Sequence, residues 1–255
     1  MGIFEAFFLG VVEGLTEFLP ISSTGHLILV SHLFGLEQID EHKSFEIAIQ
    51  LGSILAVVAI YFKRFLHDFP LLTKLAVAFV PTGVVGLMLY RYIKALFAPQ
   101  TVVIALFVGG IVLLLIELVY AKKTALDSRT DRDISYKQAL IIGCAQCLSM
   151  IPGTSRSAAT IVGGLLCGLN RRQAIEFSFL LAVPTMLAAT GYDLYKNYAI
   201  FSSADLLNLA VGFVTAFVVA LCAIKGFLRF IARFNFVAFG IYRIAIAAIF
   251  FWIVF

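Results

Sequence analysis

The sequence predicts an all-α, polytopic membrane protein, and three observations carry that reading. Hydrophobic residues make up 62% of the 255, only 13% are charged, and mean hydropathy is +1.01. That composition excludes both a soluble domain and a disordered chain. The apolar runs are continuous and near 20 residues long, not the short alternating segments of a β-barrel. The basic residues lie in short loops between those runs, with no patch of interleaved aromatics, so the net charge of +4 reflects membrane topology and no nucleic-acid partner is expected.

Long apolar windows bounded by charge define ten segments: 2 to 19, 25 to 36, 44 to 62, 71 to 90, 99 to 120, 137 to 151, 156 to 169, 175 to 195, 206 to 225 and 236 to 255. Glu5 and the lack of any Lys or Arg before Lys43 argue against a cleavable signal, so the first segment is expected to stay attached. Pro20 ends that segment. The second is short and opens at Gly25, and the next three are full length. The polar stretch Ala121 to Tyr136, with Lys122, Lys123, Asp127, Arg129, Asp131, Arg132 and Asp133, then divides the chain into 1–120 and 137–255. Past it the same order returns: a segment ending near Pro152, a short one, then three long ones. Together the segments form a single transmembrane domain.

Self-comparison supports a repeat. Leu75, Ala76, Val77, Phe79, Val80, Val84, Val85 and Leu87 recur as Leu209, Ala210, Val211, Phe213, Val214, Val218, Val219 and Leu221. Pro20 pairs with Pro152 and Ser23 with Ser155 at one offset, and Glu46 with Glu176 at a slightly smaller one. The short, Pro- and Gly-broken pairs read as re-entrant helical hairpins, leaving three full spans per half. An odd number of crossings puts the second half upside down, so the two five-segment halves form an inverted repeat with both polar loops near the midplane. On one side fall thirteen basic residues, Lys63, Arg64, Lys74, Lys122, Lys123, Arg129, Arg132, Lys137, Arg171, Arg172, Lys225, Arg229 and Arg233. The other has Lys43, Arg91, Lys94 and Lys196, so the richer side is expected to be cytoplasmic and both termini outside.

Two polar stretches sit inside this greasy sequence: Glu13 to His26 and Pro152 to Thr160. A charge at the centre of a span costs roughly 2.5 to 3.5 kcal/mol, which makes Glu13, Glu17 and Arg156 functional candidates. Glu13 and Glu17 are four apart and share a helical face, where a divalent ion is the simplest remedy for repulsion. Ser22, Ser23, Thr24 and Gly25 present hydroxyls and backbone N–H groups at a helix start, an arrangement that favours phosphate. His26 lies three residues after Ser23, a spacing that allows an acid or base beside a hydroxyl nucleophile. In the second stretch Arg156 can fork two phosphate oxygens, with Gly153, Thr154, Ser155, Ser157 and Thr160 adding donors. Taken singly, a Glu pair, membrane Ser and Thr, or one His is more often structural. Together they fit phosphoryl transfer.

Glu46, Gln50 and Glu176 divide evenly between bonding the loop backbones and joining the catalysis. Arg243 reads as a structural counter-ion, and Cys144 and Cys147, a C-x-x-C with no second pair, as small apolar filler with Cys167 and Cys222. A transporter or flippase for an anionic lipid is the main rival, since broken helices meeting at the midplane are also a transporter architecture.

With those residues read, the chain resembles undecaprenyl-diphosphate phosphatases of the bacitracin-resistance type over essentially its whole length. The resemblance rests on Glu13-x-x-x-Glu17 followed by Leu19 to His26, on Phe45 to Ala56 with Glu46 and Gln50, and on Pro152 to Thr160. It implies hydrolysis of undecaprenyl diphosphate to the monophosphate and inorganic phosphate, with Mg²⁺ or Ca²⁺, in a bacterial inner membrane with the site toward the periplasm. By matching positions it also implies that Glu13 and Glu17 handle metal or protons, Ser23 is the nucleophile, His26 its partner and Arg156 the diphosphate clamp. Water as the direct nucleophile stays open, as do a homodimer and flipping of the product.

Overall fold

The computed structural model describes residues 1–36, 40–89, 92–93, 96, 98–124, 133–197 and 206–254. Among the described residues there are ten α-helices and no strand: α1 Ile3–Thr16, α2 Ser23–Leu33, α3 Asp40–His67, α4 Phe69–Met88, α5 Pro99–Thr124, α6 Tyr136–Gln146, α7 Arg156–Leu166, α8 Arg171–Asn197, α9 Leu206–Ile231 and α10 Val237–Val254. A 3₁₀ turn, Cys147–Met150, follows α6. Five segments are long and apolar enough to cross a membrane: Ser44–His67, Phe69–Met88, Pro99–Val119, Arg171–Tyr192 and Leu206–Ile231. Within α10, Val237–Ile253 is a shorter apolar stretch.

Several boundaries move from the sequence reading. α3 runs on through Lys63 and Arg64 to His67, with a kink at Tyr61, because the aliphatic stems of basic residues continue a helix as well as apolar ones do. Asp68 alone separates it from α4 and caps that helix by accepting from Leu71 N at 3.1 Å. The central linker is shorter than expected at both ends. α5 continues to Thr124, and Ser135 and Gln138 form a capping box that starts α6. Residues 125–132, including Asp127, Arg129, Asp131 and Arg132, lie outside the described residues, as do Arg91 and Lys94 and the side chains of Lys43, Lys122, Lys123 and Lys196.

The polar loops recur as matched local structures. α2 and α7 are both 11 residues long. Each is capped by a serine in the left-handed region, Ser22 at φ 72° and Ser155 at φ 73°, and each ends on a positive-φ glycine, Gly35 and Gly168. This register pairs Ser22 with Ser155 and Ser23 with Arg156, one residue away from the pairing read in the sequence.

Close packing depends on small residues. In lipid no hydrophobic force drives helices together, so backbone approach and dispersion must. A side chain at Gly10 or Gly14 of α1 would collide with the α9 carbonyls of Gly212 or Ala216, and one at Gly143 of α6 with the α4 carbonyl of Ala78. The first short helix of each half, α1 and α6, thus packs on a long helix of the opposite half. α3 packs against α8 and α9, while α5 pairs with α10 where Gly110 meets Gly240. Phe18, Phe177, Phe179, Phe227 and Phe236 fill the largest core cluster. Glu117 of α5 ties three helices, accepting from Phe236 N at 2.9 Å ahead of α10 and from Arg171 at 2.6 Å at the start of α8.

Arg243, fully buried on α10, holds the two polar loops in place. Its five N–H groups donate to the carbonyls of Leu106 (3.3 Å), Pro20 (3.2 Å), Thr154 (2.9 Å), Ala105 (2.9 Å) and Gly153 (2.9 Å). Gly109 has no side chain because the guanidinium occupies that space. The expected structural role stands, but the counter-ion does not: these partners are carbonyl dipoles from both loops and α5. A guanidinium has five donors and no more, so the group is saturated.

Two outcomes follow. Gly143→Val is expected to lower stability by about 2–3 kcal/mol, as overpacking against Ala78 requires, whereas Gly191→Ala, with nothing within 4 Å, leaves it unchanged or slightly raised; thermal unfolding in detergent separates the two. Arg243→Lys keeps the charge with three donors instead of five, so at least two of the five carbonyl bonds are lost, at a cost of about 2–4 kcal/mol. A melting curve for that variant overlying the wild type would refute the bracing role.

Candidate active site

Glu17 sits just past the last turn of α1, where its N–H still bonds Glu13 O at 3.0 Å and its side chain is released toward the start of α2. Ser23, the first residue of α2, donates its Oγ hydrogen to Glu17 Oε2 at 2.5 Å. The other oxygen, Oε1, accepts from Arg156 at 3.0 Å across the two halves. Arg156 opens α7 as Ser23 opens α2. It also donates to Ser178 O at 3.0 Å and lies over the Phe18 ring at 5.6 Å, while its buried Nε has no partner among the described residues. A hydroxyl directed at a carboxylate that a cation holds still is the geometry of a nucleophile beside its base.

Glu13, one turn earlier on α1, is fully buried, and among the described residues neither carboxylate oxygen has a partner within hydrogen-bonding distance. Ser53 of α3 is a donor placed to bond it, though Ser53 Oγ makes no bond of standard length among the described residues. The charged groups around Glu13 are Glu17, Glu46 and Arg156. Glu46 is buried on α3 and accepts from Ser31 at 2.8 Å, and Gln50, one turn on, is half-buried. Among the described residues no group of three or more His, Cys, Asp or Glu side chains is arranged to hold a metal.

Several of the expected ligand-binding residues bond the scaffold. Ser22 Oγ accepts from Gly25 N at 3.4 Å and Ser155 Oγ from Ala158 N at 3.2 Å, each capping its helix. Ser157 Oγ donates to Phe18 O at 2.8 Å, fastening the second loop to the first. Thr160 Oγ1 contacts Arg156 O (2.9 Å), Ser157 O (3.1 Å) and Ser178 Oγ (2.7 Å). Gly153, at φ 91°, turns its backbone against Val102 of α5 where a side chain would not fit, and Gly25 lets α2 approach Val102 and Leu106. The Thr154 carbonyl is held by Arg243. Thr24, in the first turn of α2, is half-buried. Hydroxyls at membrane depth satisfy backbone first, because no water is there to do so.

Two expectations are corrected. His26 does not bond Ser23: its Nδ1 lies 2.7 Å from Ser22 O and its Nε2 2.8 Å from Tyr242 Oη on α10. Ser23 finds Glu17 instead, because the carboxylate lies across the loop where the helix start directs the hydroxyl. Glu176 is remote from this cluster, paired with Arg64 at 3.4 Å and Arg172 at 3.0 Å at a partly exposed site. Sequence reasoning passed over Ser53, Ser178 and Tyr242. Lone hydroxyls in apolar helices carry no spacing signal, although Tyr242 beside Arg243 put two polar groups together in the last span.

Residues 6–249 match the family described as bacitracin resistance protein BacA. The undecaprenyl-diphosphatase of Wolinella succinogenes is 60% identical over 250 residues, covering 98% of this chain and 97% of that one. Those of Sulfurihydrogenibium sp. and Persephonella marina are each 57% identical, covering 98% of this chain and 99% and 98% of theirs. With the match running almost end to end and the polar loops folded into one site, the chain belongs to the BacA bacitracin-resistance family.

Proposed function

We propose that this chain is an integral-membrane undecaprenyl-diphosphatase, hydrolysing undecaprenyl diphosphate to undecaprenyl phosphate and inorganic phosphate and so recycling a cell-wall lipid carrier and conferring bacitracin resistance. One observation carries the reading: Ser23 Oγ, Glu17 and Arg156 form a continuous hydrogen-bonded line joining the two halves. Two unmatched groups of opposite need support it. Among the described residues Arg156 Nε is a buried donor without an acceptor, and the buried Glu13 carboxylate has Ser53 placed to donate to it but no bond of standard length. An anion beside a cation would satisfy both.

Ser23 Oγ would attack the terminal phosphorus while its proton passes to Glu17, and the bond from that phosphorus to the bridging oxygen breaks to release the prenyl monophosphate. Water then opens the phosphoserine, giving inorganic phosphate and restoring the hydroxyl. Arg156 would fix Glu17 and receive a non-bridging oxygen at Nε. Thr24 and the free N–H groups in the first turns of α2 and α7 would add donors. Mg²⁺ or Ca²⁺ would neutralise phosphate charge, and Glu13, with Glu46 beside it, fits such an ion. Each Glu17 oxygen already accepts one hydrogen bond and keeps a second lone pair, so Glu17 would share the ion with Glu13.

Topology follows the same reading. α1 and α2 are about 21 and 17 Å long, and α6 and α7 about 17 Å each, too short for a hydrocarbon core of about 30 Å. Each pair would enter and leave on one face as a re-entrant hairpin, and the halves would be inverted. The basic side faces the cytoplasm, and the site and both termini face the periplasm of a bacterial inner membrane. One chain supplies both halves of the site, so a homodimer would join two complete sites.

Arg156→Ala and Glu17→Ala are each expected to lower phosphate release from a prenyl diphosphate by about 10³-fold in detergent, with monodispersity and melting intact; normal turnover in either would refute the site. Chelation should stop release and Mg²⁺ restore it, and Glu13→Gln should shift the Mg²⁺ titration to at least tenfold higher concentration. A chelator-insensitive enzyme would remove the ion from the mechanism.

A further inference from the structure

Tyr242 contacts His26, and His26 bonds a backbone residue of positive φ, Ser22. The Ser22 carbonyl receives two bonds from His26, from its N–H at 3.3 Å and from Nδ1 at 2.7 Å. A carbonyl only accepts, so Nδ1 carries the hydrogen and the neutral ring presents a bare lone pair at Nε2. Tyr242 Oη lies 2.8 Å from Nε2 and therefore donates to it. The two rings are parallel, with centroids 5.6 Å apart. Both ring nitrogens are thus committed, and neither faces Ser23.

Ser22 is the residue this arrangement constrains. It is not glycine, yet it holds φ 72° and ψ 94°, a conformation that costs of order 1–3 kcal/mol unless its surroundings enforce it. Its conformation decides where α2 begins and hence that Ser23 Oγ faces Glu17. Tyr242 and Arg243 are neighbours on α10 and grip the first loop at two points, Arg243 through Pro20 O and Tyr242 through His26 to Ser22 O. At the corresponding strained cap of the second loop, Ser155, no histidine follows; Arg243 grips Gly153 and Thr154 just before it.

We propose that Tyr242 is a positioning residue for the phosphatase reaction, and that His26 serves with it as a brace on the Ser22 backbone and not as the proton acceptor of Ser23. This rests on the reading of Ser23 and Glu17 given above. Asparagine reproduces the Nδ1 donor of histidine but titrates nowhere in the working range and does not reach Tyr242, so it separates bracing from proton transfer.

Phosphate release from a prenyl diphosphate would be measured in detergent for wild type, His26→Asn, His26→Ala, Tyr242→Phe and the His26→Asn/Tyr242→Phe double variant. His26→Asn is expected to retain kcat within about tenfold of wild type and His26→Ala to lose at least a hundredfold. Tyr242→Phe should lower kcat about tenfold with KM unchanged, and add nothing in the His26→Asn background, since its effect passes through the ring. Equal loss in the Asn and Ala variants, or equal cost of Tyr242→Phe in both backgrounds, would overturn the brace. ¹⁵N NMR of histidine-labelled protein without substrate tests it independently of turnover. The His26 ring should carry its proton on Nδ1, with the Nε2 resonance moved by Tyr242→Phe, and a proton on Nε2 sinks the proposal. A wild type that releases no phosphate while showing the Nδ1 tautomer would instead strike the phosphatase reading alone.

Discussion

Everything in this molecule depends on satisfying irregular backbone where there is no water. Two loops interrupt helices inside an apolar chain, and each carbonyl they expose would cost several kcal/mol in hydrocarbon if left unpaired. Arg243 answers that need with a single side chain, closing three loop carbonyls and two from α5 at once. A buried guanidinium is itself expensive, yet five carbonyl dipoles aimed at it offset that cost and fix its geometry. Removing either party leaves the other stranded, so the loops and the arginine stabilise one another or fail together.

Around that centre the packing is organised by absence of side chains. Gly10, Gly14 and Gly143 let short helices lie directly on the backbones of α9 and α4. Short helices have few turns with which to gain dispersion energy, so they must gain it at close range. Crossing α1 and α6 onto the opposite halves also interlocks the halves, and Arg156 of one reaches Glu17 of the other.

The site divides its polar groups by task. Serines 22, 155 and 157 and Thr160 bond backbone or neighbouring hydroxyls, whereas Ser23, Glu17 and Arg156 bond one another side chain to side chain. Left-handed serine caps at Ser22 and Ser155 aim the first residue of each following helix, a hydroxyl in one case and a guanidinium in the other, at the same carboxylate. The two halves thus place different chemistry at one structural position.

Composition and segment length alone determined that this chain is helical and membrane-bound, because hydrocarbon leaves few alternatives to long apolar helices. The polar loops were equally legible, since Glu13, Glu17 and Arg156 in such surroundings demand a reason. What only the tertiary structure decided was partnership. The 3.6-residue period says that Ser23 and His26 share a face of α2, but not that Glu17 lies across a turn nearer to Ser23, or that Tyr242 from 216 residues away takes the ring. Arg243 reads from its own segment as one charge wanting an opposite charge; that it meets five carbonyls depends on three elements arriving together. Local periodicity fixes which way a side chain points, and the meeting of distant elements fixes what it finds there.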